Sequence, residues 1–552
     1  MFSLRTLLGL CSLASAHALS YNTSKIQWGP CNETELPSEY PIECSRLPVP
    51  LDYTRPNASE TLVLELVKVP ATVKPSKGSI LLNFGGPGLP ARDDLVGALA
   101  DRLLALSGRS YDLVAFDPRG TGNTLPTACF EPGYESNEFA NDLLLGNQSD
   151  VQLGRLWARG TTEAEACLAR QNETGSLIST AFVARDLIST VDALGEDGML
   201  RYWGFSYGTT LGATVSAMFP DRIHRMVLDG QQNPHEYYHA QADFQEWTDS
   251  DKVFSAIFSG CVAAPSNCAL ATGNNATAAD LEHAVWDLVD TLKYRPLALG
   301  SYIVDYSVLK GLLQASLYDS AGWPQLATWL NLLITKQYAV LEDLLTAAFP
   351  TDESTVLASL RTVEALRGIH CGDNDVRTEG LEGMMSVVER LYRTSRVMGD
   401  AAIGNYFACA QWRIEPRERY TGTFDIKTKN PVLFIGNTFD GHTPLASARN
   451  LSATFEGSVV LEVNGYGHSS LAVPSACTIR TTSAYWLDGT LPNEGVVCPS
   501  DAPLYSDVTW ADVIAKVYGN DTGPGHKRTV PASPVSRSLF GPVLRLRSGE
   551  SG

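Results

Sequence analysis

At residues 204–208 the chain reads Gly-Phe-Ser-Tyr-Gly, a serine with a glycine two positions away on each side. A strand-like apolar run, LRYWGF, leads into it, and a helix-like run, YGTTLGATVSAMFP, leads away. On so tight a strand-to-helix turn the serine hydroxyl stands exposed, and the glycines let neighbouring backbone approach where a β-carbon would clash. This is the pattern of a nucleophile elbow. Ser206 would attack an acyl carbonyl, and backbone N–H groups at the start of the next helix, beginning with that of Tyr207, would stabilise the oxyanion.

Serine needs a base to take its proton, and the base needs a third group to hold it. After an elbow of this kind the chain order is Ser, then Asp or Glu, then His. His224, His235, His239, His283 and His370 precede any suitable acid at a strand end, and His526 falls in the C-terminal tail. His442 lies two residues past Asp440, on the same loop, and reads as a neighbour of the acid. His468 follows the strand-like SVVLEV in the glycine-rich loop NGYGHSSLA, where a base belongs. Asp440 ends the run PVLFIGNTFD, so its carboxylate reaches the imidazole from the adjacent loop. A second oxyanion donor is expected from NFGGPG, which follows the run SILLNF. Pro87 has no N–H, so the donor is Gly85 or Gly86, with Gly86 favoured.

Alternating elements must position these groups. GSILLNFGG, YDLVAFD, LRYWGF and RIHRMVLDG are compact apolar runs of strand length, and STAFVARDLISTVDALG has helical spacing ending at glycine. Strands alternating with helices predict an α/β fold with a mostly parallel sheet covered on both faces. From 231 to 424 helical periodicity takes over, as in AADLEHAVWDLVDTLKY and LATWLNLLITKQYAVLEDLLTAAF, with few strand signals. Strand-like runs resume at NPVLFIGNTFD and GSVVLEVNGYGH. The expected organisation is a leader over 1–18, a core over 19–230, a helical cap over 231–424, the rest of the core over 425–515, and a weakly structured tail over 516–552.

The formal charge of −19 argues against nucleic acid or an anionic membrane surface as a partner. The N-terminus, MFSLRTLLGLCSLASAHALS, has one arginine, a short apolar run and small residues at Ala14-Ser15-Ala16 or Ala16-His17-Ala18. That is a secretory signal, too short to span a bilayer. Removing it leaves ten cysteines in near pairs: Cys31/Cys44, Cys129/Cys167, Cys261/Cys268, Cys371/Cys409 and Cys477/Cys498. Disulfides between nearest neighbours are expected in an exported chain. Their spacing does not suit a metal. Acceptor motifs for N-glycosylation occur at Asn22, Asn32, Asn57, Asn147, Asn172, Asn275, Asn450 and Asn520.

The motifs LNFGGPG, YDLVAFDPRGTG, WGFSYGTTLG, VLDG, PVLFIGNTFDGHTP and GYGHSSL together resemble the secreted tripeptidyl-aminopeptidase-like, prolyl-aminopeptidase-related serine peptidases of the α/β-hydrolase superfamily. IQWGPC, LPVPLDYTRP, IHCGD and CAQW extend the resemblance from about residue 26 to about residue 500. Two features depart from it: Phe84 stands where relatives carry His or Pro, and LPAR follows Gly88. The resemblance implies an α/β-hydrolase fold with a helical cap, no cofactor, and release of short peptides or single residues from peptide N-termini. Such an enzyme must recognise a free α-ammonium, which takes a carboxylate in a partly desolvated pocket. Glu246 in FQEWTDSD and Asp373 in IHCGD are the candidates. The same triad would serve an esterase or lactonase acting on a small acyl metabolite, because the cap decides what enters. A non-catalytic binding protein on this scaffold is the third reading, and it usually lacks a triad member.

Overall fold

A computed structural model describes residues 25–519, apart from 33–35, 39, 132–144, 272–274, 301 and 349–352. The expected leader, Asn22, Asn520 and the chain from 520 lie outside the described residues. The strands are β1 (Gly29–Pro30), β2 (Glu43–Pro50), β3 (Thr61–Val69), β4 (Ser79–Asn83), β5 (Asp112–Phe116), β6 (Leu200–Phe205), β7 (Ile223–Asp229), β8 (Leu297–Leu299), β9 (Tyr302–Val304), β10 (Leu433–Phe439), β11 (Val459–Tyr466) and β12 (Val497–Pro499). Ten of them form one sheet in the order β1-β2-β3-β5-β4-β6-β7-β10-β11-β12. Pairing is antiparallel from β1 to β5 and parallel from β5 through β12.

The central strands are apolar throughout because both faces are covered, and β4 and β6 are buried at every position. Side chains alternate between two cores. Ile80, Leu82, Trp203 and Ile435 enter one, with Trp486, while Leu81, Tyr202, Leu228 and Phe434 enter the other. The helix Thr180–Leu194 begins where the Ser179 hydroxyl accepts the Phe182 N–H and stops at Gly195, whose φ of 67° suits glycine.

Between β7 and β10 the chain is mainly helical, with its own apolar core around Phe254, Trp286, Trp323 and Leu330. Three details differ from expectation. The periodic stretch over 326–349 is two helices, Trp323–Ile334 and Tyr338–Ala348, parted where Lys336 takes a φ of 58°. An antiparallel hairpin, β8–β9, follows the helix Ala278–Tyr294. The roof also draws on chain before the elbow: Leu145 and Leu156 join its core, and Trp157 packs edge-on to Phe407 at 5.5 Å. A boundary at 231 misses this because the helix Gln152–Gly175 is largely polar and its partner, Ile403–Ala410, is remote in sequence. At the C-terminal end the helix Trp510–Tyr518 runs three residues past the expected start of the tail, closed at its front by a reciprocal Thr509–Asp512 cap.

All five disulfides pair as short-loop closure anticipates, Cys31–Cys44, Cys129–Cys167, Cys261–Cys268, Cys371–Cys409 and Cys477–Cys498. Asn32, Asn57, Asn147, Asn172, Asn275 and Asn450 are exposed. Among the described residues no helix is long and apolar enough to cross a membrane.

Candidate active site

Ser206 occupies the turn between β6 and the helix Tyr207–Met218, with φ 55° and ψ −126°. Both flanking glycines are required there. A β-carbon on Gly204 would lie 2.1 Å from the carbonyl oxygen of Gly208, and one on Gly208 would lie 2.5 Å from that of Asn83. The strained conformation is held by backbone bonds on both sides. The Ser206 N–H donates to the Asp229 carbonyl at 3.2 Å, and the Ser206 carbonyl accepts the Thr209 N–H at 2.8 Å.

Asp440 follows β10 and is fully buried; His468 follows β11 and is nearly so. Nδ1 of His468 lies 3.1 Å from each carboxylate oxygen of Asp440. The carboxylate also accepts the N–H groups of His442, Thr443 and Ser469 and the hydroxyl of Thr443, all within 2.9 Å. Burial by itself would raise this carboxyl, but His468 and the N–H donors outweigh it and hold the group below the ordinary aspartate range. With Nδ1 against an ionised carboxylate, the proton belongs on Nδ1 and the basic lone pair on Nε2. Nε2 is buried and makes no hydrogen bond. The acid and the imidazole are thus brought together directly, whereas the serine is linked to them through backbone and through Asp229.

Asp229, at the end of β7, is a buried residue that motif reasoning did not single out. Its carboxylate accepts the N–H of Ser470 at 2.8 Å and the Ser470 hydroxyl at 2.5 Å. Burial lifts it to about 7, against the pull of those two bonds and of His468. The available signal was the VLDG motif, whose Asp ends a strand as Asp440 does.

His442 proves to be the neighbour its position implied. Its ring stacks on Tyr318 at 3.6 Å, and burial followed by the charge of His468 pushes it down to about 3. Tyr318 reaches the site from the cap, and its carbonyl accepts the His468 N–H at 2.8 Å.

On the side where the oxyanion donors are expected, a β-carbon on Gly85 would stand 2.8 Å from Ser206 Cβ and 3.0 Å from Tyr207 N, so the NFGGPG loop lies directly against the elbow. Gly85 donates its own N–H to Asn83 Oδ1 at 3.0 Å. Phe84 stacks flat on Phe205 at 5.7 Å beneath the loop, and Gly88 abuts the backbone of the cap helix Glu353–Asp373.

The two candidate acids part ways. Asp373 is fully buried, and its carboxylate accepts the Thr180 N–H, the Thr180 hydroxyl and the Tyr237 hydroxyl at 2.9, 2.5 and 3.0 Å. It serves the start of a core helix. Glu246 accepts one bond, from the Gln232 side chain at 3.4 Å. Gln232 in turn bonds Thr210, and its N–H bonds Thr209, whose hydroxyl donates to the Ser206 carbonyl. Burial, then Asp243, pushes the Glu246 carboxyl well above its ordinary range, and burial lifts Asp243 to about 7. His370 lies 3.7 Å from Asp243, but burial pushes it down to about 4, so at neutral pH it supplies no counter-charge. Trp247, next to Glu246, meets the His442 ring edge-on at 6.1 Å. A cavity of about 1190 Å³ lies elsewhere, behind the His468 loop, lined by Arg102, Asp319, Tyr466 and Trp510 and by no triad residue.

Comparison with known proteins agrees with the fold. A family model described as alpha/beta hydrolase fold matches residues 79–260, and one described as TAP-like protein matches residues 395–498. The chain is similar to a tripeptidyl aminopeptidase of Streptomyces lividans, with 28% identity over 86% of this chain and 87% of that one. It is similar to the serine protease Hip1 of Mycobacterium tuberculosis, with 26% identity over 86% and 91%. It also resembles carboxylesterase B of Mycobacterium tuberculosis, with 27% identity over 85% and 89%.

Proposed function

We propose that the chain, which has an α/β-hydrolase fold and is similar to a tripeptidyl aminopeptidase, is a secreted serine exopeptidase that removes short peptides or single residues from free peptide N-termini. Ser206 attacks the scissile carbonyl while His468 Nε2 takes its proton, and Asp440 keeps the imidazole in the Nδ1–H form and stabilises the imidazolium. The N–H groups of Tyr207 and Gly86 hold the oxyanion. The bond from Gly85 to Asn83 supports Gly86 as the donor. His468 then protonates the leaving amine, and water hydrolyses the acyl-enzyme by the same steps in reverse.

The observation that favours an amine-reading peptidase over an esterase is the uncompensated pair Asp243 and Glu246, reaching toward the elbow through Gln232. Two carboxyls pushed up by burial, Glu246 also by Asp243, invite a cation, and the ammonium of a peptide N-terminus supplies one. An esterase of neutral acyl compounds would gain nothing from them. Export is supported by the leader-like N-terminus, five disulfides and exposed glycosylation motifs.

The test is a panel of free-amine peptide amides, their N-acetylated counterparts and simple esters, run with wild type and Ser206→Ala. Hydrolysis of free-amine peptides above blocked ones, abolished in the variant, is expected. Turnover confined to esters would replace the peptidase reading with an esterase.

A further inference from the structure

Ser206 and His468 come from strands that are not neighbours. In the sheet β6 carries the nucleophile and β11 the base, with β7 and β10 between them. Three strand spacings amount to about 14 Å, so the base loop must be drawn back across the sheet before a proton can pass. The two intervening strands each end in a buried aspartate, and each takes hold of that loop. Ser469 donates its N–H to Asp440 at the end of β10, and Ser470 donates its N–H and hydroxyl to Asp229 at the end of β7. Asp229 also accepts the Ser206 N–H through its main-chain carbonyl. One residue therefore holds the backbone of the nucleophile and, with its side chain, the loop of the base.

The packing leaves little room for a looser arrangement. Gly230 follows Asp229 at φ 70°, where a β-carbon would lie 3.1 Å from both Ser469 Cβ and Thr443 Oγ1. Gly230 also donates its N–H to the Ile435 carbonyl on β10. Building on the triad reading, we propose that Asp229 is a positioning residue of the reaction, setting the reach between the Ser206 hydroxyl and His468 Nε2 through its bonds to Ser206 and Ser470. Asp440 decides which nitrogen carries the proton, and Asp229 decides where the other nitrogen stands.

The test uses Ser470→Ala, Asp229→Asn and Asp229→Ala in the full chain, with Ser206→Ala as control. Steady-state ester or peptide hydrolysis is read beside saturation labelling by a fluorophosphonate, which reports the attack of Ser206 without depending on substrate choice. Misplacement of a reacting group by about 1 Å costs roughly a hundredfold in rate. Asp229→Ala should therefore lose about a hundredfold in kcat and in the limiting labelling rate, with KM within about twofold. Asp229→Asn keeps an acceptor for the Ser470 N–H and should recover about tenfold of that loss; Ser470→Ala, which deletes only the hydroxyl bond, should lose a few-fold to about tenfold.

Ser470→Ala is the mildest change and decides the matter should Asp229→Ala not fold. A folded Ser470→Ala protein with a lowered melting temperature but wild-type kcat and labelling rate would overturn the proposal, as would a change confined to KM. Ser206→Ala separates the two levels. Retained activity and labelling there would remove the triad reading itself, whereas an inactive Ser206→Ala beside a fully active Ser470→Ala would remove only the role of Asp229.

Discussion

Glu246→Gln is the change that weighs most on substrate class. Glutamine keeps the side-chain oxygen that accepts from Gln232, so the local bond survives and only the negative charge is lost. An ammonium about 4 Å from a carboxylate at an effective dielectric near 20 is worth about 4 kcal/mol, a ceiling of roughly a thousandfold in binding. The carboxyl first has to give up a proton that burial and Asp243 encourage it to keep, which reduces that gain. The expected loss in kcat/KM is therefore about 10- to 100-fold for a free-amine tripeptide amide, with little change for its N-acetyl counterpart. Measuring both substrates on one enzyme preparation cancels errors in active fraction. Equal losses on the two would show that Glu246 does not read the amine, and unchanged activity on both would show that it does not face the substrate.

Asp440→Asn should lower kcat by about 10⁴-fold while substrate binding persists, because an amide can donate to Nδ1 and force the proton onto Nε2; kinetics on an activated ester checks this, and a loss below about tenfold would be incompatible with the triad. Gly85→Ala would drive a β-carbon to 2.7 Å from the Phe205 carbonyl and 2.8 Å from Ser206 Cβ, displacing the oxyanion loop. A fall of about 100- to 1,000-fold in kcat, read at saturating substrate, is expected. Stability should be greatest at mildly acidic pH. Asp94, Asp229 and Asp243 at about 7, and Asp373 at about 6, keep protons in the folded chain that the unfolded chain releases near pH 4. Between about pH 4 and 7 the four carboxyls add more protons to the folded state than His370 and His442, pushed down to about 4 and 3, withhold from it, so stability drops as pH rises. Asp440 and Asp52, held below their ordinary range, lose their contribution only as pH falls under about 4. Calorimetric melting temperatures should peak at about pH 4–5; a steady rise from pH 5 to 8 would contradict the assignment.

The sequence by itself determined the local chemistry. Gly-Phe-Ser-Tyr-Gly between two apolar runs specifies an elbow, because only glycine tolerates the contacts made at 204 and 208. The strand-ending Asp440 and the loop His468 followed from chain order, and they meet at 3.1 Å. Cysteine spacing anticipated the five disulfides because short loops close most readily. What tertiary structure alone decided concerns residues whose partners are remote in the chain. Asp373 and Glu246 looked alike as acids in the insertion, yet one caps a core helix through Thr180 and the other stands near the elbow beside Asp243. The hold of Asp229 on the Ser470 loop became visible only when β7 was placed between β6 and β10, and the share of residues 145–157 in the roof only when Trp157 met Phe407. Periodicity records which face of an element is buried, but the identity of the covering group depends on packing between segments hundreds of residues apart, and no local pattern encodes it.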